Sequence, residues 1–202
     1  ALGVSTKSAS HSIDAPMYPK GSERRVDLAI PVELPHEELL AEIEEDPCFD
    51  DALADAVERR RLPPSYYDYD VVVNAAAKGQ SPPVPIGMFV DGVPFLKKSS
   101  FLAFWIYNLL TGTRHVVVIL RKEQICHCGC RGRCTLYRAF AYLAWSLTAA
   151  ADGVYPLLRF GGAAWAAADA FGRHAGAIMK HRFALIWTKV VWAEFAGTVG
   201  FP

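Results

Sequence analysis

The feature of this sequence that most constrains its fold is a set of three apolar runs between residues 84 and 120. The runs cover residues 85–90, 101–110 and 115–120, and each is short and rich in β-branched and aromatic residues. The turn-forming pairs Asp91-Gly92 and Thr111-Gly112 separate them. Connections this short cannot carry a parallel crossover, so the runs predict a three-stranded antiparallel meander.

A cluster of cysteines follows the third run directly. Four thiolates can satisfy a tetrahedral zinc ion, and Gly129 and Gly132 give the loop the backbone freedom to wrap around it. The gaps between the cysteines are one, one and three residues rather than the usual two, so His127 or His115 could replace one thiolate. Reduced thiols without a ligand are the alternative. The sequence predicts a structural zinc loop whose ligands are Cys126, Cys128, Cys130 and Cys134.

Cysteine usage also bears on the compartment. Neighbouring cysteines on so tight a loop rarely meet the geometry that a disulfide requires, and Cys48 stands alone. A reducing intracellular compartment therefore fits, either the nucleus or the cytoplasm, with an organelle left open. No apolar run reaches the roughly 18 residues needed to cross a bilayer, which predicts a chain without a membrane span.

Composition along the chain predicts three regions. Residues 1–29 begin with a stretch rich in Ser, Lys and Gly that has no apolar period, which is typical of a disordered leader. Residues 30–83 form a helical acidic arm and linker, with helices that begin at Pro35 and Asp50. Residues 84–202 hold the core, with helices over 136–151 and 163–179 and a strand over 183–192. The lack of a closing helix suggests a truncated core fragment.

Charge is unevenly spread although the net charge is zero. Residues 33–70 contain thirteen acids against three arginines, whereas residues 97–138 contain eight basic residues against Glu123 alone. In one interpretation, these charges lie on solvated faces, and their attraction docks the acidic arm on the sheet. The other is a basic face that binds nucleic acid. That face would consist of Lys97, Lys98, Arg121, Lys122, Arg131 and Arg133.

Asp91 is the candidate catalytic residue. A carboxylate at the end of a central apolar strand is placed to hold a divalent cation such as Mg²⁺. Asp-Gly after a strand is also the commonest hairpin turn signal, so a turn without chemistry is the alternative. Phosphate loops, nucleophile elbows and zinc-protease motifs do not occur in the sequence.

A series of short motifs in residues 30–202 resembles the mobile-element-derived open reading frames that are repeated widely in some protist genomes. More distantly, the order of elements resembles the RNase H-like core of DDE transposases. The motifs include Leu62-Pro63-Pro64-Ser65-Tyr66-Tyr67, Phe89-Val90-Asp91-Gly92-Val93-Pro94-Phe95, Phe104-Trp105-Ile106-Tyr107-Asn108-Leu109, Cys128-Gly129-Cys130-Arg131-Gly132 and Trp192-Ala193-Glu194-Phe195.

This resemblance implies that Asp91 is the first metal-binding carboxylate of a transposase-like site. The family pattern near the C-terminus has Lys-Gly-Asp-Trp, whereas this chain reads Lys189-Val190-Val191-Trp192. Val191 therefore takes the place of the second acid, and Glu194 lies three residues too far along. A two-metal site needs several carboxylates, so the resemblance implies that Mg²⁺-dependent cleavage has been lost.

The sequence therefore predicts an α+β fold close to α/β: an RNase H-like core with a three-stranded antiparallel meander, a later strand, flanking helices and a Cys-rich loop. The expected function is that of a degenerate, catalytically inactive transposase-like domain that associates with nucleic acid beside a structural zinc loop. One alternative is a structural subunit recruited into a protein assembly. The other is an active Mg²⁺-dependent nuclease or transposase.

Overall fold

A computed structural model describes residues 11–96, 99–167 and 169–190. Short 3₁₀ turns at Lys122–Gln124 and Phe171–His174 supplement the helices and strands. The strands are β1 (His11–Met17), β2 (Val26–Val32), β3 (Val84–Leu96), β4 (Ser99–Asn108), β5 (Arg114–Arg121) and β6 (Phe183–Val190). The helices are α1 (Pro35–Glu44), α2 (Phe49–Glu58), α3 (Pro64–Tyr67), α4 (Asp70–Ala77) and α5 (Arg133–Asp152).

The six strands form one open sheet in the order β1-β2-β5-β4-β3-β6. β6 is parallel to β3, and all other neighbours are antiparallel. The predicted mixed α+β class, the meander of β3, β4 and β5 and the later strand are confirmed. The predicted turn at Thr111-Gly112 is also found, where the Gly112 N–H donates to the Asn108 carbonyl at 2.9 Å.

The interpretation of Asp91-Gly92 as a hairpin turn is wrong. β3 continues through both residues to Leu96, and Asp91 pairs with Ala103 of β4. Apolar residues resume directly after Gly92, so pairing with β4 continues at little cost and the chain reverses only after Leu96. Asp91 therefore lies within a strand rather than at its end.

The expectation of a disordered leader over residues 1–29 does not hold where the structure describes them. β1 and β2 pair with each other, and β2 joins the meander through the pair Val32 and Val118. Residues 13, 15 and 17 of β1 are buried in alternation with more exposed neighbours. This period of two buries one face of β1. Polar residues and a proline stand between the buried residues, so β1 contains no continuous apolar stretch that would predict a strand.

The helices α1 and α5 pack on one face of the sheet and enclose the main core. Alternate residues of β4, namely Leu102, Phe104 and Ile106, are buried there together with Leu39 of α1 and Leu143 of α5. The predicted start of α1 at Pro35 and the predicted helix after the cysteines are confirmed. α5 begins at Arg133 and is 20 residues long.

The predicted alanine-rich helix over residues 163–179 is wrong. In the described part of that range the only helical segment is the 3₁₀ turn Phe171–His174. Gly176, and Gly161 and Gly162 just before the range, have positive φ. Alanine favours helices, but a short helix in water needs an apolar face to bury, and most side chains here remain exposed.

A smaller cluster covers the start of β6 on the opposite face of the sheet, which we call the outer face. It contains Ala56, Leu62, Tyr66, Val72 and Ala184, contributed mainly by the α2–α4 region and β6. The Tyr66 hydroxyl donates to the Pro83 carbonyl at 2.7 Å and fixes this unit to the beginning of β3. Within the described residues, no helix has both the length and the apolar content needed to cross a membrane.

Candidate metal centre

The cysteine loop fills the gap between the end of β5 and the start of α5. Its first residue follows Ile125, which forms an isolated β-bridge with Met17 of β1. Two backbone hydrogen bonds close the loop, from the Gly132 N–H to the Cys126 carbonyl at 3.0 Å and from the Arg133 N–H to the Cys130 carbonyl at 3.1 Å. The loop is therefore attached to the sheet at one end and to the long helix at the other.

Left-handed backbone conformations allow this tight path. Gly129 has a φ of 88° and Gly132 a φ of 83°, which glycine adopts without the steric cost of a Cβ. A Cβ on Gly132 would also lie only 2.9 Å from the Cγ2 atom of Ile125. Glycine is therefore needed at position 132 for two reasons, its left-handed backbone and the lack of space for a Cβ. Both agree with the prediction that the loop wraps tightly.

The four cysteine sulfurs lie together. All are within 4.8 Å of one another, with 3.3 Å from Cys126 to Cys128 and 3.9 Å from Cys128 to Cys134. A tetrahedral zinc ion with Zn–S bonds of about 2.3 Å places its sulfurs about 3.8 Å apart, which is close to this spacing. The thiols are free rather than disulfide-bonded. The predicted clustering is confirmed, and the four residues could hold a metal ion such as zinc.

Burial and neighbouring thiols shift the pKa values of Cys126, Cys130 and Cys134. Burial raises the pKa of Cys130, but hydrogen bonds from the backbone and thiol of Cys134 and from the other two thiols outweigh it and lower the pKa to about 6. The hydrogen bond to Cys130 raises the pKa of Cys134 to about 12. Burial raises the pKa of Cys126 as well. The four thiols cannot all ionise side by side, so a bound cation would displace their protons.

Side chains from distant parts of the chain support the loop. The Arg25 guanidinium lies 3.6 Å from the Cys128 sulfur and 3.9 Å from the Cys134 sulfur. The Thr135 hydroxyl accepts a hydrogen bond from the Cys126 N–H at 2.9 Å and donates to the Pro16 carbonyl at 2.5 Å. Sequence reasoning missed both residues, because their roles depend on β1 and β2, which it did not predict.

The two histidines considered as substitute ligands have other contacts. The His127 ring stacks on Tyr18 with 3.7 Å between the ring centroids. His115 lies at the start of β5, with its Nε2 2.8 Å from Glu42 and its Nδ1 3.7 Å from Glu38. The group of closely placed ligand atoms consists of the four sulfurs. The structure therefore favours four thiolates over three thiolates and a histidine.

Several basic residues surround this loop. Arg121 at the end of β5 is exposed, as are Arg131 within the loop and Arg133 at the start of α5, and Lys122 is half-buried. Arg25 adds a cation next to the sulfurs. Lys97 and Lys98, which complete the predicted basic face, lie outside the described residues. We call Arg25, Arg121, Lys122, Arg131 and Arg133 the basic surface.

The predicted catalytic carboxylate is not part of any such cluster. Asp91 is half-buried in β3, and in the described part of the chain no group of three or more potential metal ligands includes it. β6 ends, as described, at Val190, which pairs with Val90. Val191 and Glu194 lie outside the described residues.

Comparison of the chain with protein-family models, with curated proteins and with solved structures finds no match. What the chain does must therefore be inferred from its own residues, chiefly the four sulfurs and the surfaces beside them.

Proposed function

We propose that this protein binds nucleic acid through the basic surface, next to a zinc ion held by the four cysteines, and that it is a transposase-like protein without strand-cleaving activity. The observation that carries the proposal is the meeting of four sulfurs within 4.8 Å in a loop bordered by exposed arginines. Zinc suits the ligands because a closed set of four thiolates is typical of structural zinc sites.

The order of elements supports the RNase H-like part of the proposal. β3, β4 and β5 form an antiparallel meander, α5 follows, and β6 then returns beside β3 and parallel to it. The resemblance to DDE transposases implies three antiparallel strands, a helix and a later strand in this order. β1 and β2 extend the sheet beyond β5 and provide the edge to which the cysteine loop is attached.

The surroundings of Asp91 support the absence of strand cleavage in this proposal. Phosphodiester hydrolysis by two metal ions needs several carboxylates that face one point. Among the described residues Asp91 has no such group around it. We expect no Mg²⁺-dependent cleavage of DNA or RNA. The Asp91→Asn variant should give the same result in the cleavage assay as the unchanged chain. Cleavage that requires Mg²⁺ and disappears in this variant would instead establish an active nuclease.

Nucleic-acid binding can be tested through its dependence on salt. If Arg121, Lys122, Arg131 and Arg133 each neutralise one phosphate of a duplex, the logarithm of the binding constant should fall with the logarithm of salt concentration with a slope of about −3.6. Arg131→Gln should weaken binding to all sequences alike and reduce the slope by about 0.9. Fluorescence anisotropy of a labelled duplex measures both quantities.

The chain offers a matched control for Arg131. Arg60 is also exposed and has a φ of 50°, close to the 52° of Arg131, but it belongs to the acidic arm. Arg60→Gln should leave affinity and slope unchanged. Equal losses in the two variants, or no measurable affinity at low salt, would contradict the proposal.

A second candidate function, a structural subunit of a protein assembly, is favoured by one surface. Leu157 is 71% exposed and Ile178 is 85% exposed, and Val154 and Leu158 are exposed as well. Val154 forms a β-bridge with Ile178, so part of this apolar surface is continuous. Sedimentation of the purified chain tests it: self-association that Ile178→Asp abolishes would support assembly, whereas a monomer at all concentrations would speak against self-assembly.

A further inference from the structure

A groove of about 150 Å³ lies on the outer face of the sheet, away from α1 and α5. It crosses β3, β4, β5 and β6. Four aromatic side chains and two basic ones line it: Phe89, Trp105, Tyr107, Arg114, Trp187 and Lys189. Among the described residues, no carboxylate belongs to this lining.

Strand geometry explains why the aromatic rings meet there. Trp105 and Tyr107 alternate along β4 with the core residues 104 and 106, so they point to the outer face. In β6 the register with β3 shifts between Leu185 and Trp187, and this irregularity puts Trp187 opposite Gly87. The rings of Tyr107 and Trp187 then meet edge to face, with centroids 5.1 Å apart.

Gly87 lets the Tyr107 ring lie against the backbone of β3. A Cβ at this position would be 2.9 Å from Cε1 and 3.0 Å from Cζ of Tyr107. The glycine thus makes room for the Tyr107 ring. Phe89 lies two residues further along the same face, and the Lys189 ammonium is 6.0 Å from its ring centroid.

The lining has the chemistry of a site for an unpaired nucleotide. The aromatic rings are half-buried, so part of each remains accessible for stacking, while Arg114 and Lys189 are exposed at the groove. Bases stack on aromatic side chains whatever their sequence, and neighbouring cations neutralise the phosphates. Charge complementarity therefore favours an anionic, aromatic ligand over an apolar peptide.

Arg121 connects the basic surface with the face of the sheet that carries the groove. Arg121 pairs with Phe101 in the β4–β5 ladder, and its guanidinium lies 5.9 Å from that ring. Phe101 is on the same side of β4 as Trp105 and Tyr107 because their positions differ by even numbers. Arg114 and Arg121 mark the two ends of β5, about 23 Å apart at strand spacing. A single strand of nucleic acid can reach both.

We propose that the groove binds one or more unpaired bases of single-stranded nucleic acid whose phosphates run from Arg114 and Lys189 toward Arg121. This inference rests on the proposed function for the class of ligand, and it adds a second site with a preference for single strands over duplex. Asp91 also faces this side of the sheet, since it pairs with Ala103. Its replacement by Asn should not weaken binding.

Labelled single-stranded DNA and RNA oligonucleotides, with a duplex of the same sequence, provide the test by fluorescence anisotropy. Trp105→Leu and Trp187→Leu keep an apolar side chain but remove the stacking surface, and each should weaken single-strand binding roughly five- to hundredfold. Duplex binding should change much less. Trp165→Leu is the control, because Trp165 is also half-buried but lies outside the groove. Thermal melting of each variant confirms that it is folded.

The outcomes separate this inference from the proposed function. Duplex binding that depends on Arg131, with single-strand affinity unaffected in folded Trp105→Leu and Trp187→Leu, overturns the groove and leaves the basic surface in place. Single-strand binding that requires the groove but not Arg131 overturns the basic surface and leaves the groove in place. Absence of binding to any oligonucleotide overturns both. A dimer that Trp187→Leu dissociates, with no oligonucleotide binding, would assign the groove to a protein contact.

Discussion

Removing the metal from the cysteine loop should lower the melting temperature of the whole chain. The loop joins β5 to α5, and Ile125 and Thr135 connect it to β1. An ion at the sulfurs therefore stabilises contacts among two strands of the sheet and the long helix. A ligand present at a thousand times its dissociation constant stabilises the folded state by about 4 kcal/mol. For a chain of this size that corresponds to a shift of about 8–16 °C.

Differential scanning fluorimetry or calorimetry can measure this shift. The chain purified under reducing conditions is melted before and after treatment with a chelator, and zinc or magnesium is then added back. Zinc should restore the original melting temperature and magnesium should not, because thiolates prefer the softer ion. Cobalt in place of zinc should give the absorption bands of tetrahedral thiolate coordination.

Two variants make the experiment specific. Cys134→Ser removes one ligand near the start of α5, and its melting temperature should be low and insensitive to the chelator. Cys48→Ser changes the exposed cysteine outside the cluster and should behave like the unchanged chain. If the unchanged chain melts at the same temperature with and without chelator, or if both variants respond alike, the reasoning about the loop is refuted.

Two further predictions concern pH and backbone strain. Burial lowers the pKa of His115, but the carboxylates of Glu38 and Glu42 outweigh it and raise the pKa to about 9. Its folded pKa is thus above the unfolded value of 6.5, so a contribution of at most about 3 kcal/mol is complete below pH 6.5 and lost as pH rises through 9. Zinc-saturated protein should melt at lower temperature across this window, and His115→Gln should remove that dependence; equal pH profiles would contradict it. Gly132→Ala should cost about 1–2 kcal/mol for its left-handed backbone plus the contact of the new Cβ, whereas Gly129→Ala should cost only the former. Equal losses in denaturant unfolding would contradict the crowding inferred at Gly132.

The parts of the fold that the sequence could predict are those with a continuous apolar signal. β3, β4, β5 and β6 consist largely of β-branched and aromatic residues, and α5 has apolar residues at helical spacing. β1 could not be found in the same way because Asp14 and Pro16, at its more exposed positions, leave no continuous apolar run. The alanine-rich region after α5 shows the opposite error, since helix propensity there is not matched by a face to bury.

The same limit applies to the functional residues. The four cysteines could be predicted as one cluster because they lie within nine residues of one another. Arg25 reaches two of their sulfurs only because β1 and β2 fold back onto the end of β5. The groove depends on a register shift in β6 that turns Trp187 toward Tyr107, and no pattern in the sequence reports that shift.

The central claim, that the four cysteines hold a zinc ion, is tested most directly by elemental analysis of the chain purified under reducing conditions. The account predicts about one zinc ion per chain after desalting, retained in Cys48→Ser and lost in Cys134→Ser. A folded chain that contains no zinc or other transition metal, or zinc content that is the same in the two variants, would contradict it.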